Sequence, residues 1–276
     1  FRADRLAAVG LLAGAELTMA DCTVTLRSRH PSAAVFVAPP HREATRVPAP
    51  EAAATRGALI QLRNCFLRSG GDGLTVAGDR KLTVELDNVL AATEGSLVHA
   101  LGRLRAASLV EPAITIQLDQ VTARVKGGLV HLESTPDEPE LASVVIRAEN
   151  SILSTAAGDH PLFRLEGQGQ LDQLRDKLRW EGRKVAYHRI KTYRRDEVVQ
   201  TGVSPRTYDR NDWTNAFLPK DESPLLGEIQ FARESDPAKA PWTVQREDLR
   251  PAAGSPVAQV GAEVDRVPRA PSEGDF

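Results

Sequence analysis

The sequence predicts an all-β fold in which short strands stack repeat upon repeat, followed by an irregular C-terminal part. One observation is a recurring phrase, clearest in Leu59–Leu67 (LIQLRNCFL), where apolar and polar residues alternate around a central Asn, Asp or Gln. The other is a second apolar pair that follows the central residue at a nearly constant distance. A period of two is typical of strands that turn one face to the core and the other to water.

The central polar residue of each phrase predicts a sharp corner, because Asn and Asp tolerate left-handed backbone angles and bond their own backbone at bends. The predicted corners are Asp21, Asn64, Asn88, Gln120 and Asn150. The residues four positions before them predict one buried ladder: Leu17, Ile60, Val84, Ile116 and Ile146. The residues two positions before them predict another: Met19, Leu62, Leu86, Leu118 and Ala148.

A second strand is predicted from the apolar residues ten and twelve positions after the corner. These pairs are Leu74 and Val76, Val98 and Ala100, and Val130 and Leu132, with later counterparts at Val35 and Val37 and at Phe163 and Leu165. The free energy gained by burying the few apolar side chains of one repeat does not offset the entropy lost when its backbone is ordered. Repeats are therefore expected to stack on one another, with two strands each and no long helix.

The stretches Ile60–Cys65 (IQLRNC) and Ile116–Val121 (IQLDQV) resemble the right-handed parallel β-helix superfamily, the pectate-lyase-like solenoids, over about residues 14–168. The resemblance implies an all-β, right-handed parallel β-helix with its coils in residues 1–168. Residues 169–276 would then form a last coil and a C-terminal cap or tail packed on the same solenoid. A two-sheet sandwich is the alternative fold.

The closing stretch Asp248–Ala262 is similar to a phrase that ends many bacterial β-helix regions, where it covers the last coil. This similarity implies a domain of a larger bacterial multidomain protein. The chain opens on Phe1 rather than Met, so we expect the rest of the parent chain, with its other domains, upstream. Residues 38–57, 102–112 and 134–141 are rich in Pro, Ala or charge and predict loops between strands.

Composition excludes several classes of function. A net charge of -2 over 276 residues gives no basic excess for nucleic acid. No apolar stretch approaches the roughly 18 to 20 residues that a membrane span requires. Aromatic residues make up 5% of the chain, which is low for a glycan surface that works by ring stacking. Cys22 and Cys65 occupy the same inward slot of two repeats and are expected to stack as small core residues, with a disulfide as the alternative.

Candidate binding residues lie on the predicted outward faces of the strands. One row holds Thr75, His99 and His131, and Arg164 extends it. Two stacked imidazoles can bind a metal or share a proton. The pattern fixes no carboxylate or third histidine beside them, so we expect neither a metal nor a cofactor here.

A second outward row holds Asp87, Asp119 and Glu149. Lyases with the resembled architecture hold calcium in such a place and present a cationic base nearby, for which Arg147 is the candidate. The triplet Arg189–Ile190–Lys191 is similar to part of a polygalacturonase site, but no paired aspartates accompany it. We predict no catalytic set.

The sequence thus favours a non-enzymatic module that binds a protein or glycan partner, or that acts as a rigid scaffold in a larger protein. The alternative is a degenerate carbohydrate-active enzyme, either a polysaccharide lyase or a glycoside hydrolase. Neither nucleic acid nor a membrane is expected as a partner.

Overall fold

The computed structural model describes twelve parts of the chain, residues 6–12, 15–28, 32–38, 57–77, 81–102, 113–135, 141–155, 160–168, 171–199, 202–226, 228–233 and 239–271. These residues are predominantly β and form three sheets, and each sheet takes every third strand along the chain as far as the nineteenth strand. All strand pairs in these sheets are parallel except the pair at the C-terminal end of one sheet. Most of the predicted loops at 38–57, 102–112 and 134–141 lie outside the described residues.

Each repeat contributes one strand to each sheet. Sheet 1 holds the strands before the corners: β2 (Glu16–Ala20), β5 (Ala58–Arg63), β8 (Leu82–Asp87), β11 (Ile114–Asp119), β14 (Val144–Glu149), β17 (Leu178–Arg183) and β21 (Lys220–Glu222). Sheet 2 holds the strands directly after the corners: β3 (Thr23–Leu26), β6 (Phe66–Ser69), β9 (Leu90–Thr93), β12 (Thr122–Val125), β15 (Ile152–Thr155), β18 (Ala186–His188) and β22 (Leu225–Leu226). Sheet 3 holds the remaining strands: β1 (Leu6–Leu12), β4 (Ser32–Ala38), β7 (Asp72–Ala77), β10 (Val98–Leu101), β13 (Val130–Glu133), β16 (Phe163–Gly167), β19 (Arg194–Val198) and β20 (Arg206–Tyr208).

The predicted corners are confirmed, because all five residues have left-handed backbones with φ between 46° and 54°. Asn64 donates from its side-chain amide to Asp21 Oδ1 at 2.8 Å, and Asn88 donates in the same way to Asn64 Oδ1 at 2.8 Å. The prediction of two strands per repeat was wrong. The left-handed corner changes the chain direction, so the residues after it form a separate strand in a separate sheet.

The predicted ladders are confirmed by the strand register. Ile60 pairs with Leu17 and Val84, and Ile116 pairs with Val84 and Ile146. The later strand follows the same rule, since Val98 pairs with Leu74 and Val130. Matching apolar side chains of successive repeats therefore form one continuous buried core. This arrangement fits a solenoid-like fold.

Aromatic residues and one buried ion pair close the C-terminal end of the core. Trp180 takes the place of Ile146 in the inward ladder, and its ring lies 5.5 Å from that of Phe163. The α-helix Arg210–Phe217 adds Trp213, whose ring lies 5.4 Å from Phe163. Arg194 is fully buried and donates to Asp196 Oδ1 at 2.7 Å. Arg194 and Asp196 thus occupy the inward positions that Phe163 and Leu165 hold in the preceding repeat.

The tail, residues 228–233 and 239–271, packs against the outward face of sheet 2. Its apolar residues form clusters with those of the sheet, among them Val244, Leu249 and Val267 with Phe66 and Leu90. Short 3-10 helices at Pro241–Thr243, Arg246–Leu249 and Val264–Arg266 shape this part of the tail. Burial on both faces explains why sheet 2 lacks the alternating exposure of sheet 1.

The stretch Asp248–Ala262, predicted to cover the last coil, follows the side of the stack, where Val257 and Val260 cluster with Ala186 and Leu225. Successive amides of the tail bond to three successive repeats. Gly261 N donates to Asn150 O, Ala262 N to Thr122 Oγ1, and Glu263 N to Asn88 Oδ1. The last full repeat is followed instead by β20, β21, β22 and the α-helix.

Cys22 and Cys65 stack as predicted, with their Sγ atoms 3.2 Å apart and both thiols free. Burial and the neighbouring Cys65 thiol raise the pKa of Cys22 to about 12. Within the described parts of the chain, no helix combines the length and the apolar character that a membrane span needs.

Candidate functional site

The candidate site is an outward row on sheet 3, where the residues predicted from the sequence lie side by side. Thr75 pairs with His99, His99 with His131, and His131 with Arg164. They face away from the core because the alternate residues of the same strands are core residues. The imidazoles of His99 and His131 are stacked, with ring centroids 4.4 Å apart and an interplanar angle of 12°.

Three carboxylates accompany this row, which corrects the expectation that none lies beside the histidines. His99 Nδ1 lies 2.9 Å from Asp72 Oδ2, and His99 Nε2 lies 2.8 Å from Glu133 Oε2. Glu166 Oε2 lies 3.4 Å from His131 Nε2. A period-two signal could have indicated two of them, since Glu133 follows His131 by two residues and Glu166 follows Arg164 by two.

Asp72 resembles in sequence only the acid segment of a hydrolase, and its position beside His99 was not predicted. It stands at the start of β7, where Ser96 N donates to its Oδ1 at 2.8 Å and Thr75 Oγ1 donates to its Oδ2 at 3.0 Å. Burial alone would raise the pKa of Asp72, but hydrogen bonds and the charge of His99 lower it below its usual value. An ionised Asp72 therefore fixes the orientation of the His99 ring.

The two histidines have opposite electrostatic surroundings. Burial alone would lower the pKa of His99, but its hydrogen bonds to Asp72 and Glu133 raise it. Burial, reinforced by the charges of His99 and Arg164, lowers the pKa of His131 to about 3. The stack thus pairs an imidazole whose pKa is raised with one that is neutral near pH 7.

Polar atoms without a hydrogen-bond partner concentrate on the same face. His131 Nε2, Arg164 Nε and Arg195 Nε are buried and unpaired, and they come from three successive repeats. The terminal nitrogens of the two arginines do bind carboxylates, since Arg164 contacts Glu166 at 2.9 Å and Arg195 contacts Glu197 at 3.2 Å. The side chains of this face therefore satisfy only part of their own hydrogen-bonding capacity.

Among the described residues, His99, His131 and Glu133 are the group whose geometry could hold a metal ion. One ligand atom from each lies within 4.8 Å of the others. Nitrogen and carboxylate oxygen ligands are those preferred by zinc and similar divalent ions.

The acidic row predicted on the other face is also in register. Asp119 pairs with Asp87 on one side and with Glu149 on the other, but this row belongs to sheet 1 and is separate from the histidines. Arg63 contacts Asp87 at 3.5 Å, and Arg183 binds Glu149. The bond to Arg183 lowers the pKa of Glu149, while burial and the charges of Glu149 and Asp87 raise that of Asp119.

Arg147, the candidate cationic base of the lyase interpretation, donates to Glu181 at 2.9 Å. Two of the three acids and this base therefore already have ionic partners. The arrangement is that of a surface ion-pair network, which is able to bind cations only in competition with its own arginines.

A cleft that sequence analysis missed lies between sheet 2 and the tail. Its volume is about 350 Å³, and its lining includes Arg124, Ser154, His188, Gln230 and Phe231. Ser154 Oγ and His188 Nδ1 are 2.8 Å apart, and the Phe231 ring packs edge-on against the imidazole. Burial and the charges of Arg189 and Arg124 lower the pKa of His188 to about 4, so the imidazole is neutral near pH 7.

Comparison of the chain with protein-family models, with curated protein sequences and with solved structures gave no match.

Proposed function

We propose that this chain is a right-handed parallel β-helix module that binds a protein partner through the outward face of sheet 3. Support for the β-helix comes from the strand order, in which every third strand joins the same sheet, and from the parallel register of matching residues. Such a stack is stiff because each repeat is bonded to its neighbours along three sheets. It would present its outward side chains as a fixed array.

The observation that carries the binding proposal is the cluster of unpaired buried atoms on sheet 3. Arg164 Nε and Arg195 Nε lie in paired positions of successive strands, and both are buried and make no hydrogen bond. A buried polar atom left unpaired destabilises a protein by about 1 to 3 kcal/mol, so two neighbouring ones on one face call for an explanation. A partner that supplies acceptor groups after small side-chain movements would satisfy them.

The charge pattern favours a protein over a stacked glycan. Arg164 and Arg195 form one outward row, while Glu133, Glu166 and Glu197 form the next, with a spacing of about 4.8 Å between repeats. A polypeptide with both acidic and basic side chains complements such alternation. The large hydrophobic residues that are exposed in the described part of the chain are Val199, Val203, Leu218 and Leu226, and none is aromatic. A sugar-stacking platform therefore has no support on the described surface.

The alternative of a degenerate carbohydrate-active enzyme rests on the row of Asp87, Asp119 and Glu149. This row gives it less support, because Arg63 and Arg183 contact the two outer acids. The enzyme alternative predicts turnover of a polysaccharide such as polygalacturonate, with or without calcium, and loss of that turnover in Asp119→Ala.

The proposal is tested by affinity capture followed by quantitative binding. The immobilised chain is exposed to proteins of the source organism, and each captured protein is purified and titrated by surface plasmon resonance. We expect the double substitution Arg164→Ala and Arg195→Ala to raise the Kd at least about tenfold, which corresponds to roughly 1.4 kcal/mol.

The matched control is the double substitution Arg63→Ala and Arg183→Ala on sheet 1, which removes two arginines from the other face. The Kd of this control should stay within about twofold of that of the original chain, whereas the sheet 3 variant should show the tenfold increase, which corresponds to about 1.4 kcal/mol. Equal Kd values for both double variants, or polysaccharide turnover by the original chain, would overturn the proposal.

A further inference from the structure

Two histidines and a glutamate converge on the outward face of sheet 3 in an arrangement that partner binding does not require. His99 and His131 occupy matching positions of neighbouring strands, and Glu133 follows His131 by two residues on the same face. One donor atom from each lies within 4.8 Å of the other two. We propose that these three residues bind a divalent transition-metal ion of the zinc class, a property that goes beyond the proposed partner binding.

His131 supplies the observation that a purely structural role leaves unexplained. Its side chain is 13% exposed, and its Nε2 is buried without a hydrogen bond. Glu166 Oε2 is 3.4 Å away but is already bonded to Arg164 at 2.9 Å. An imidazole nitrogen held in this way, beside a second imidazole and a carboxylate, is available to bind a metal ion.

His99 is oriented as metal-bound histidines are. Asp72 accepts from one ring nitrogen, Nδ1, so that the other nitrogen, Nε2, is directed toward Glu133. A carboxylate behind a ligating histidine fixes the ring and raises its basicity as a ligand. Thr75 Oγ1 and Ser96 N donate to Asp72 in turn, so two successive repeats hold this carboxylate in place.

Binding requires small movements within the cluster. Ligand atoms around a tetrahedral zinc ion are about 3.3 Å apart when the bonds are about 2.0 Å long. The present spacing of up to 4.8 Å therefore has to contract, and the parallel rings have to tilt toward one another. The ion would enter between His99 Nε2 and Glu133 Oε2, whose hydrogen bond it replaces. Glu166 or a water molecule would complete the four ligands.

The donor set defines the class of metal. Imidazole nitrogen suits zinc, cobalt, nickel, copper and iron, whereas calcium and magnesium prefer sites made of oxygen alone. The site therefore should discriminate against calcium. This separates it from the acidic row on sheet 1, which contains carboxylates only.

The test is isothermal titration calorimetry of the full chain, stripped with chelator, against Zn²⁺, with Co²⁺ absorption as a second readout. We expect one ion per chain at the cluster and no uptake of Ca²⁺ there. His131→Ala should weaken binding by more than about 100-fold, and Asp72→Asn by about 10- to 100-fold as for other residues that support ligands. Glu133→Gln tests the third ligand with little change of shape.

His160→Ala is the matched control, since it removes an exposed histidine outside the cluster and should leave the Kd unchanged. Circular dichroism of each variant checks that it is folded, and Glu133→Gln decides the test if His131→Ala does not fold. The proposal is overturned if the original chain takes up no Zn²⁺. It is also overturned if the folded Glu133→Gln variant binds as tightly as the original, or if only His160→Ala weakens binding. The same titration leaves the proposed protein partner untouched, so the two proposals can fail separately.

Discussion

Replacing Asn88 by glycine should separate the contribution of a corner side chain from that of its backbone. Asn88 is buried with φ of 54°, donates to Asn64 Oδ1 at 2.8 Å, and accepts from Glu263 N at 2.6 Å. Glycine adopts the same left-handed backbone without strain, so the corner itself is retained. Only the two side-chain hydrogen bonds are lost.

The expected loss follows from these two bonds. A net hydrogen bond such as that to Asn64 contributes about 0.5 to 1.5 kcal/mol. The Glu263 amide, left without an acceptor, costs about 1 to 3 kcal/mol. Relative to a corner glycine substitution that loses no such bonds, Asn88→Gly should therefore lower the free energy of unfolding by about 1.5 to 4.5 kcal/mol, measured by urea denaturation followed by circular dichroism. Hydrogen exchange should accelerate at Glu263.

Gln120→Gly is the matched control, because Gln120 has the same backbone with φ of 52° and its side chain makes no hydrogen bond to a described residue. A left-handed non-glycine residue costs roughly 1 to 2 kcal/mol, and glycine loses roughly 0.5 to 1 kcal/mol more entropy on folding. The control should raise the free energy of unfolding by between zero and about 1.5 kcal/mol. If Asn88→Gly is as stable as Gln120→Gly, the corner ladder and the tail contact have no energetic role, and the reasoning fails.

Three further predictions concern the core, the pH dependence and the thiols. Leu118→Ala should destabilise the fold by about 2 to 5 kcal/mol in urea denaturation, whereas Gln117→Ala on the exposed face should change it by less than about 0.5 kcal/mol. The stability that neutral His188 contributes is complete above pH 6.5 and is lost as the pH falls toward about 4, so His188→Gln should flatten the stability profile in that window; an unchanged slope would refute this. Cys22, with a pKa of about 12, should react with maleimide at about pH 7.5 far more slowly than a free thiol, and rapid labelling would show that the Cys22–Cys65 contact is not formed.

The inward ladders and the corners could be predicted because each is encoded locally. Alternation assigns Ile60, Val84 and Ile116 to one face, and an amide that tolerates a left-handed backbone fixes the bend after them. When the corners of successive repeats are in register, His99 and His131 must lie side by side on the outward face, because they occupy matching positions of their repeats. The row of candidate residues was therefore accessible from the sequence alone.

Features that depend on distant parts of the chain could not be predicted. Asp72 is the first residue of its strand, and its distance from His99 depends on the turns between the two residues. The tail docks along the side of the stack because Glu263 bonds to a residue 175 positions earlier, and no periodicity encodes such a contact. Burial of Arg194 likewise depends on the carbonyl oxygens of Leu174 and Arg175, which accept hydrogen bonds from its guanidinium.

The register of neighbouring repeats is tested most directly by paired cysteines on the exposed face of sheet 1, in a chain carrying Cys22→Ser and Cys65→Ser. Glu85 and Gln117 are register partners, and Cα atoms of paired neighbouring strands lie about 4.8 Å apart, within reach of a disulfide. Thr83 is offset from Gln117 by two residues, which places its Cα at about 8 Å, beyond that reach. Under mild oxidation, Glu85→Cys with Gln117→Cys should form an intramolecular disulfide, seen by peptide mass spectrometry, and Thr83→Cys with Gln117→Cys should not. The reverse result, or equal cross-linking of both pairs, would contradict the stacked repeats from which every proposed surface row derives.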